Sequence, residues 1–242
     1  MTSPQAICVV LVALAGGCAQ AVVAADEQEL PPQSTGALAL VSPSALCVTS
    51  GRLATASDGM LTVDVGTMRA VVAGNRSRAA ELSFTYPGPS AVDVPLADGE
   101  LRRQIGLKLR AQDGCNVVYA MWHIEPTPGI SVSMKSNPGV SSTDDCGDSG
   151  YVNVQPVAGT RPPPIKAGEP HVLRADLDGD ELTVLADGKV AWKGHLPAES
   201  LTFDGPAGVR SDNGRFDFEL KVAGGARANA RCEAGQLVSN AQ

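Results

Sequence analysis

Residues 101–124 constrain the fold more than any other part of this sequence, because a turn signal and an alternating pattern coincide there. Asp113-Gly114 favours a two-residue type I′ turn, which requires positive φ at both positions. A hairpin closed by that turn sets Gln112 opposite Cys115 and fixes the register of both arms. One face then carries only apolar pairs: Ile105 with Trp122, Leu107 with Ala120, and Leu109 with Val118. The sequence therefore predicts two antiparallel strands whose apolar face lies in a core.

The opposite face of this hairpin is polar. It pairs Gln104 with His123, Gly106 with Met121, Lys108 with Tyr119, and Arg110 with Val117. The next alternating run, residues 130–136, directs Ile130, Val132 and Met134 to the core and Ser131, Ser133 and Lys135 to the polar side. We call one set of these residues the predicted polar face: Gln104, Lys108, Arg110, Tyr119, His123 and Lys135.

Short alternating runs between turn residues fill most of the chain from residue 37 to residue 222. Strands are predicted at 171–177, 181–186, 190–194, 207–211 and 215–222, with Asp178-Gly179 and Asp187-Gly188 as turns between the first three. No stretch shows the spacing of apolar residues at three and four that a helix of ~12 residues requires. The pattern predicts an all-β chain of about a dozen short antiparallel strands, folded as a two-sheet sandwich.

The N-terminal segment predicts export. Residues 1–25 carry no charged side chain, and their apolar stretch 7–14 suits a signal peptide but is too short to span a bilayer. A second interpretation is a lipoprotein signal, since residues 14–18 (LAGGC) resemble a lipobox and would place a lipid anchor on Cys18. A buried apolar N-terminal segment of a cytosolic protein is the remaining alternative. Either export signal predicts an extracytoplasmic protein that is secreted, periplasmic or lipid-anchored, with no transmembrane span.

Composition then divides the rest of the chain. Residues 26–36 are polar with two prolines and are expected to form a linker, residues 37–224 the sandwich, and residues 225–242 a C-terminal tail. Cys8 and Cys18 lie in the targeting segment, which leaves Cys47, Cys115, Cys146 and Cys232 to form disulfides in an oxidising compartment. No C-x-x-C spacing indicates zinc, and a net charge of −7 without a Lys/Arg-rich run argues against nucleic acid.

Two segments together resemble a known fold family. The runs HVLRADLDGDELTVLADGKVAWKG and GPAGVRSDNGRFDFELKV resemble the closing half of concanavalin A-like (laminin G-like) jelly rolls, and the resemblance covers roughly residues 37–222. It implies a jelly-roll sandwich in a superfamily of lectins, adhesion modules, glycosidases and polysaccharide lyases. In such jelly rolls the first and last strands lie side by side, which implies a Cys47–Cys232 disulfide. Cys115 and Cys146 flank two consecutive strands in the middle of the domain, which favours pairing them with each other. The tail would then be tethered by Cys232.

Complete catalytic or metal-binding motifs are missing from the sequence. The E-x-D-x-x-E pattern of glycosidases in this superfamily is absent, and the GDSG run at residues 147–150 lacks the rest of a serine protease signature. Residues 176–187 resemble a calcium loop, but Glu181 stands where glycine is required for the sharp bend, so a hairpin tip is predicted instead. We therefore expect no metal and no cofactor.

The predicted polar face is the best candidate for function. Its amide, cationic, phenolic and imidazole groups suit an exported, non-catalytic glycan-binding or surface module, and Lys108, Arg110 and Lys135 favour an acidic polysaccharide. Of the aromatic residues, Tyr119 and Tyr151 are the candidates for exposed rings.

Two other functions remain open. The first is a uronate lyase using His123, Tyr119, Arg110 and Gln104, although the Q-I-H and R-x-E-x-R signatures of the alginate-lyase branch are incomplete. The second is a structural envelope protein without a ligand, in which the polar residues form an ordinary solvated surface.

Overall fold

The computed structural model describes residues 37–96 and 99–224. The predicted signal segment, the lipidation site Cys18, the linker 26–36, the tail 225–242 and Cys232 lie outside the described residues, so the statements about them stay predictions. No helix in residues 37–96 and 99–224 is long and apolar enough to cross a membrane.

Fifteen strands occur in the described part of the chain, and each follows a short run of alternating or apolar residues. They are β1 (Leu38–Leu40), β2 (Leu46–Ser50), β3 (Ala54–Thr55), β4 (Leu61–Asp64), β5 (Thr67–Val72), β6 (Ala79–Pro89), β7 (Arg103–Leu109), β8 (Val117–Glu125), β9 (Gly129–Lys135), β10 (Tyr151–Val154), β11 (Pro170–Asp178), β12 (Glu181–Ala186), β13 (Lys189–His195), β14 (Gly208–Asp212) and β15 (Gly214–Ala223). The helical elements there are α1 (Thr143–Cys146) and two 3₁₀ turns (Pro43–Ala45 and Ala198–Thr202).

The strands form two antiparallel sheets, which confirms the predicted jelly-roll sandwich. The eight-stranded sheet has the order β13-β12-β11-β6-β15-β4-β3, with β1 also paired to β15. The seven-stranded sheet has the order β10-β9-β8-β7-β14-β5-β2. The last two strands of the described residues therefore lie inside the sheets, next to strands that are distant in sequence. In the eight-stranded sheet β15 lies between β6 and β4, and in the seven-stranded sheet β14 lies between β7 and β5.

The core lies between the sheets and concentrates the few large aromatic residues. Phe84 contacts Trp122 edge to face at 5.8 Å between ring centroids and contacts Phe216 at 6.1 Å. Trp122 comes from the seven-stranded sheet and both phenylalanines from the other, so these rings join the two layers. The inward side chains of β7 and β8 predicted from the hairpin are all buried: Ile105, Leu107, Leu109, Val118, Ala120 and Trp122.

The hairpin register is confirmed from Gln104–His123 to Leu109–Val118, but the turn differs from the prediction. Neither Asp113 nor Gly114 has positive φ; the positive φ of 49° belongs to Arg110. The Asp113 carboxylate instead accepts backbone hydrogen bonds from Cys115 (2.7 Å) and Asn116 (2.8 Å). Asp113 thus closes a longer loop by accepting hydrogen bonds from the backbone N–H groups two and three residues further along, as Asp commonly does in turns.

The connection after β9 is held by the Cys115–Cys146 disulfide, as predicted, with a Cα–Cα distance of 6.0 Å. Cys146 ends α1 inside the expected turn-rich loop. Cys47 is buried on β2, while its predicted partner Cys232 lies outside the described residues, so that pairing stays a prediction. The hairpin tip predicted instead of a calcium loop is confirmed: Asp178 pairs with Glu181, and Asp176 forms an ion pair with Arg174 at 2.7 Å.

Candidate functional site

The seven-stranded sheet has a second face, directed away from the core, which we call the outer face. Because alternate residues of a strand point to opposite sides, cross-strand partners share this face. The register gives four rows across the sheet: Thr67, Asp212, Gln104, His123 and Gly129; Arg69, Arg210, Gly106, Met121 and Ser131; Val71, Gly208, Lys108, Tyr119, Ser133 and Asn153; and Val117, Lys135 and Tyr151.

The predicted polar face is not an ordinary solvated surface, since most of its members are buried. Lys108 is 3% exposed and Tyr119 is 2% exposed, and Gln104 and Lys135 are equally buried. The expectation that Tyr119 presents an exposed ring is wrong. Tyr151 on β10 is the exposed aromatic, at 39%. His123, Ser131 and Ser133 are half-buried and Asn153 is exposed, so the accessible part of the outer face lies on β8, β9 and β10.

Asp212 organises the buried part of the outer face. Its Oδ2 accepts hydrogen bonds from Gln104 Nε2 (2.6 Å) and Arg210 Nε (2.8 Å), and its Oδ1 lies 3.6 Å from the Arg69 guanidinium. Burial opposes ionisation of this carboxyl, but Arg210 and Arg69, with the hydrogen bonds, outweigh it and lower the pKa of Asp212. The carboxylate is therefore held ionised inside the protein.

Two stacked tyrosines connect this buried network to the exposed edge. The Tyr119 and Tyr151 rings stack at 6.2 Å between centroids, and the Arg210 guanidinium lies 4.9 Å from the Tyr119 ring. Arg210 Nη1 also donates to the Tyr151 hydroxyl oxygen at 3.4 Å. The Lys135 ammonium lies 5.3 Å from the Tyr151 ring centroid and donates to the Gly147 carbonyl. The position of Tyr151 is thus fixed by aromatic and cationic contacts.

Lys108 is the cation that this network leaves without a counterion. Among the described residues no carboxylate pairs with it and no hydrogen-bond acceptor is found for its ammonium. Burial, together with the nearby charges of Arg69 and Arg210, lowers the pKa of Lys108 from 10.5 to about 7, and Asp113 opposes this shift. Lys108 is therefore partly neutral at physiological pH.

The stability of the protein should rise with pH because of Lys108. The folded pKa of about 7 lies below the unfolded value of 10.5, so the unfolded chain binds more protons between these values. We expect the free energy of unfolding to gain up to about 1.4 kcal/mol per pH unit above pH 7.5 from this group. Denaturant unfolding at pH 7.5 and 9.0 should show the gain in the wild type and not in Lys108→Met; equal slopes would contradict it.

The four residues of the lyase hypothesis are only partly brought together. Gln104 and His123 are cross-strand partners and Tyr119 lies on the same face. Burial lowers the pKa of His123 to about 4, helped by Arg102, so the imidazole is neutral at pH 7, and its Nε2 lies 2.5 Å from Ser131 Oγ. Arg110 leaves the face: its positive φ turns it away, and its Nη1 donates to the carbonyls of Leu201 and Phe203.

Sequence reasoning missed three charged members of the outer face, Arg69, Arg210 and Asp212. The sequence did contain a signal for two of them. Since Val209 on β14 points into the core, alternation places Arg210 and Asp212 on the opposite face of the strand. Their neighbours could not be found that way: β14 lies between β5 and β7, which are remote in sequence.

Comparison with known proteins supports the fold and no finer assignment. No family model matches the sequence, and no curated protein matches it. The carbohydrate-binding module CBM66 from Bacillus subtilis is similar in structure, with a TM-score of 0.51 and 14% identity, over 72% of this chain and 92% of that one.

Two further solved structures are similar at lower TM-scores. They are the Emp46p carbohydrate recognition domain (TM-score 0.45, 11% identity, 76% of this chain and 90% of that one) and the GH16 endo-β-1,3(4)-glucanase SCLam (0.41, 11%, 68% and 71%). Identities this low establish the fold alone. The chain is a two-sheet antiparallel β-sandwich.

Proposed function

We propose that this protein is an exported glycan-binding module whose sugar site is the accessible part of the outer face. The observation that carries this is the exposed ring of Tyr151, stacked on Tyr119 and held by Arg210 beside a row of hydroxyl and amide groups. An aromatic ring offers a flat apolar surface with a polar end, which suits ligands that are apolar on one side and wet on the other.

The neighbouring side chains supply the hydrogen bonds that sugars need. Asn153 lies opposite Ser133, and Tyr151 lies opposite Lys135, on adjacent strands of the same sheet. Asn offers two donors and an acceptor, and each serine hydroxyl can donate and accept. In the part of the chain that the structure describes, β10 is the edge strand of its sheet, so a long polymer has space to lie across Tyr151 and Asn153 without meeting another of these strands. The similarity to a carbohydrate-binding module is in keeping with such a role.

Export is supported by the Cys115–Cys146 disulfide, since disulfides persist in oxidising compartments and are rare in the cytosol. A signal peptide in residues 1–25, with or without a lipid on Cys18, would deliver the chain there. Mass spectrometry of the mature N-terminus would distinguish cleavage after residue 25 from a lipidated Cys18.

Replacing Tyr151 with alanine tests the proposed site. We expect the affinity for glycans that the wild type binds on an array to fall about tenfold or more, because a central aromatic contact is commonly worth above 1.4 kcal/mol. Tyr151→Phe should keep most of the affinity, since the ring remains. Titration calorimetry on the same glycans measures both variants.

Val157→Ala is the matched control, because Val157 is 70% exposed outside the outer face and should not matter. Full affinity in a folded Tyr151→Ala variant would place the ligand elsewhere. If the wild type bound no glycan on the array, the proposal would fail in favour of a structural role. An increase in absorbance at 235 nm on uronic-acid polymers would instead indicate the lyase.

A further inference from the structure

Around Lys108 the outer face carries more basic than acidic side chains, with Lys108 and Arg210 buried and the Arg69 side chain 25% exposed. Arg69, Lys108 and Arg210 are set against the single carboxylate of Asp212. Arg69 and Arg210 are direct cross-strand partners, and Lys108 lies one row away, on the strand next to Arg210. Buried charges are normally paired because their desolvation is costly. This cluster therefore lacks an anion.

Asp212 does not supply that anion for Lys108. Its Oδ2 already receives Gln104 and Arg210, and its Oδ1 faces Arg69. Both oxygens of Asp212 are thus directed at other partners, Gln104 in its own row and the two arginines in the next row. Asp212 is not among the charges that act on the Lys108 ammonium. Because Asp212 is shared by Arg69 and Arg210, the Lys108 ammonium has no carboxylate of its own.

Two glycines border Lys108 and Arg210 on the outer face. Its cross-strand partner on β14 is Gly208, which has no side chain, and the partner of Arg210 on β7 is Gly106. The two long cations therefore occupy opposite corners of a square whose other corners are glycines. Met121 fills the corner at Gly106, where a Cβ would lie 2.7 Å from its sulfur. At Gly208 a Cβ would lie 2.1 Å from the Ala70 carbonyl oxygen of β5, so no side chain stands between Lys108 and Val71 in this row.

We propose that Lys108, together with Arg69 and Arg210, binds a single carboxylate or sulfate group, so that the glycan recognised by this module is an acidic polysaccharide. The anion site is argued from these cations alone, and only the identification of its ligand as a polysaccharide rests on the proposed function. Guanidinium groups present paired donors that match the oxygens of such an anion. The anion would supply the missing negative charge next to Lys108.

Binding of the anion should be linked to a proton. The groups that face Lys108 are Arg69 on β5, Arg210 on β14, Tyr119 on β8 and Asp113 in the loop after β7. The two guanidinium groups disfavour the charged ammonium, and a bound anion would favour it. At pH 8 the free protein holds Lys108 mostly neutral, so anion binding should draw up to about one proton from the buffer.

The test compares sodium glucuronate, sodium sulfate and neutral glucose, at constant ionic strength and pH 8, by calorimetry in two buffers of different ionisation enthalpy. We expect the wild type to bind the two anions and prefer them over glucose, with a heat that depends on the buffer. Lys108→Met should lose about 10- to 100-fold in anion affinity, the range for hydrogen bonds to charged groups, together with the buffer dependence. Lys189→Met, at an exposed lysine of β13, should behave like the wild type.

Lys108→Gln provides a second variant, and thermal unfolding shows whether each variant is folded. Anion binding that is equal in Lys108→Met, Lys108→Gln and the wild type would overturn the inference, and so would a wild type that binds glucuronate no better than glucose. Binding of glycans without any preference for acidic ones would overturn the inference and leave the proposed function intact. Binding of glucuronate through Lys108 by a protein that recognises no polysaccharide would support the anion site and remove the proposed function.

Discussion

Asp212→Asn is expected to lower the free energy of unfolding by about 3–5 kcal/mol, the usual cost of removing one partner from a buried ion pair. Asp212 is 0% exposed and is the carboxylate that holds Arg210, receives Gln104 and faces Arg69. Asparagine keeps the shape of the side chain, so the loss would report the missing charge and not a cavity. Denaturant unfolding at pH 7 measures it.

Two further variants show whether the loss of stability in Asp212→Asn comes from the missing charge in this network or would follow from any Asp→Asn substitution. Asp217→Asn on β15 makes the same chemical change at a half-buried site for which no ion pair is found among the described residues, and it should cost less than about 0.5 kcal/mol. Adding Lys108→Met to Asp212→Asn should recover part of the loss, because one cation fewer is left uncompensated. If Asp212→Asn were as mild as Asp217→Asn, the network would not be held by its charge.

The pH dependence gives an independent check on Asp212. Its pKa is lowered in the folded protein, so its contribution to stability is present above the unfolded value of 3.8 and is lost as the pH falls through the folded value. The difference between wild type and Asp212→Asn should therefore shrink in strong acid. A difference that stayed constant down to the lowest pH would indicate that packing, and not ionisation, was lost.

The parts of the fold that could be predicted from the sequence are the local ones. The β7–β8 register followed from alternation on both sides of one turn, and it is correct although the turn type is not. The predicted register is correct because a one-residue slip would place Trp122 outside the core and His123 inside it. Strand order could not be predicted, since the pairing of β14 with β5 and β7 depends on packing between distant segments.

Only part of the membership of the candidate site was predictable from the sequence, and the exposure of its residues was not. Alternation places Lys108 and Tyr119 opposite the core face, and it says nothing about whether that second face is itself covered. Tyr119 is buried beneath Tyr151, whose own strand β10 comes after the disulfide-linked loop. Arg110 was assigned to the face because the hairpin was assumed to continue to its turn. The positive φ at Arg110, which alternation does not signal, ends the ladder one residue earlier.

Removing the Cys115–Cys146 disulfide should be the second large loss of stability. The cross-link closes a loop with a sequence separation of 31, and the chain-entropy model assigns such a loop about 3.7 kcal/mol. In a chain of this size that corresponds to a melting temperature lower by about 7–15 °C. We expect this result for Cys115→Ala/Cys146→Ala, measured by thermal unfolding without a reductant.

The native loop should remain in place when this disulfide is absent, because hydrogen bonds also hold it. Asn137 Nδ2 donates to the carbonyls of Cys115 (3.1 Å) and Ser149 (3.0 Å), and Asn116 Nδ2 donates to Val140 (2.8 Å). The loss of stability should therefore arise in the unfolded chain, and glycan affinity at Tyr151 should be unchanged in the folded variant.

Reductant added to the double alanine variant should lower its melting temperature again if Cys47 pairs with Cys232, as the strand order of a jelly roll implies. A double variant as stable as the wild type would show that the cross-link does not restrict the unfolded chain, and one that folds but no longer binds would show that the disulfide positions β10.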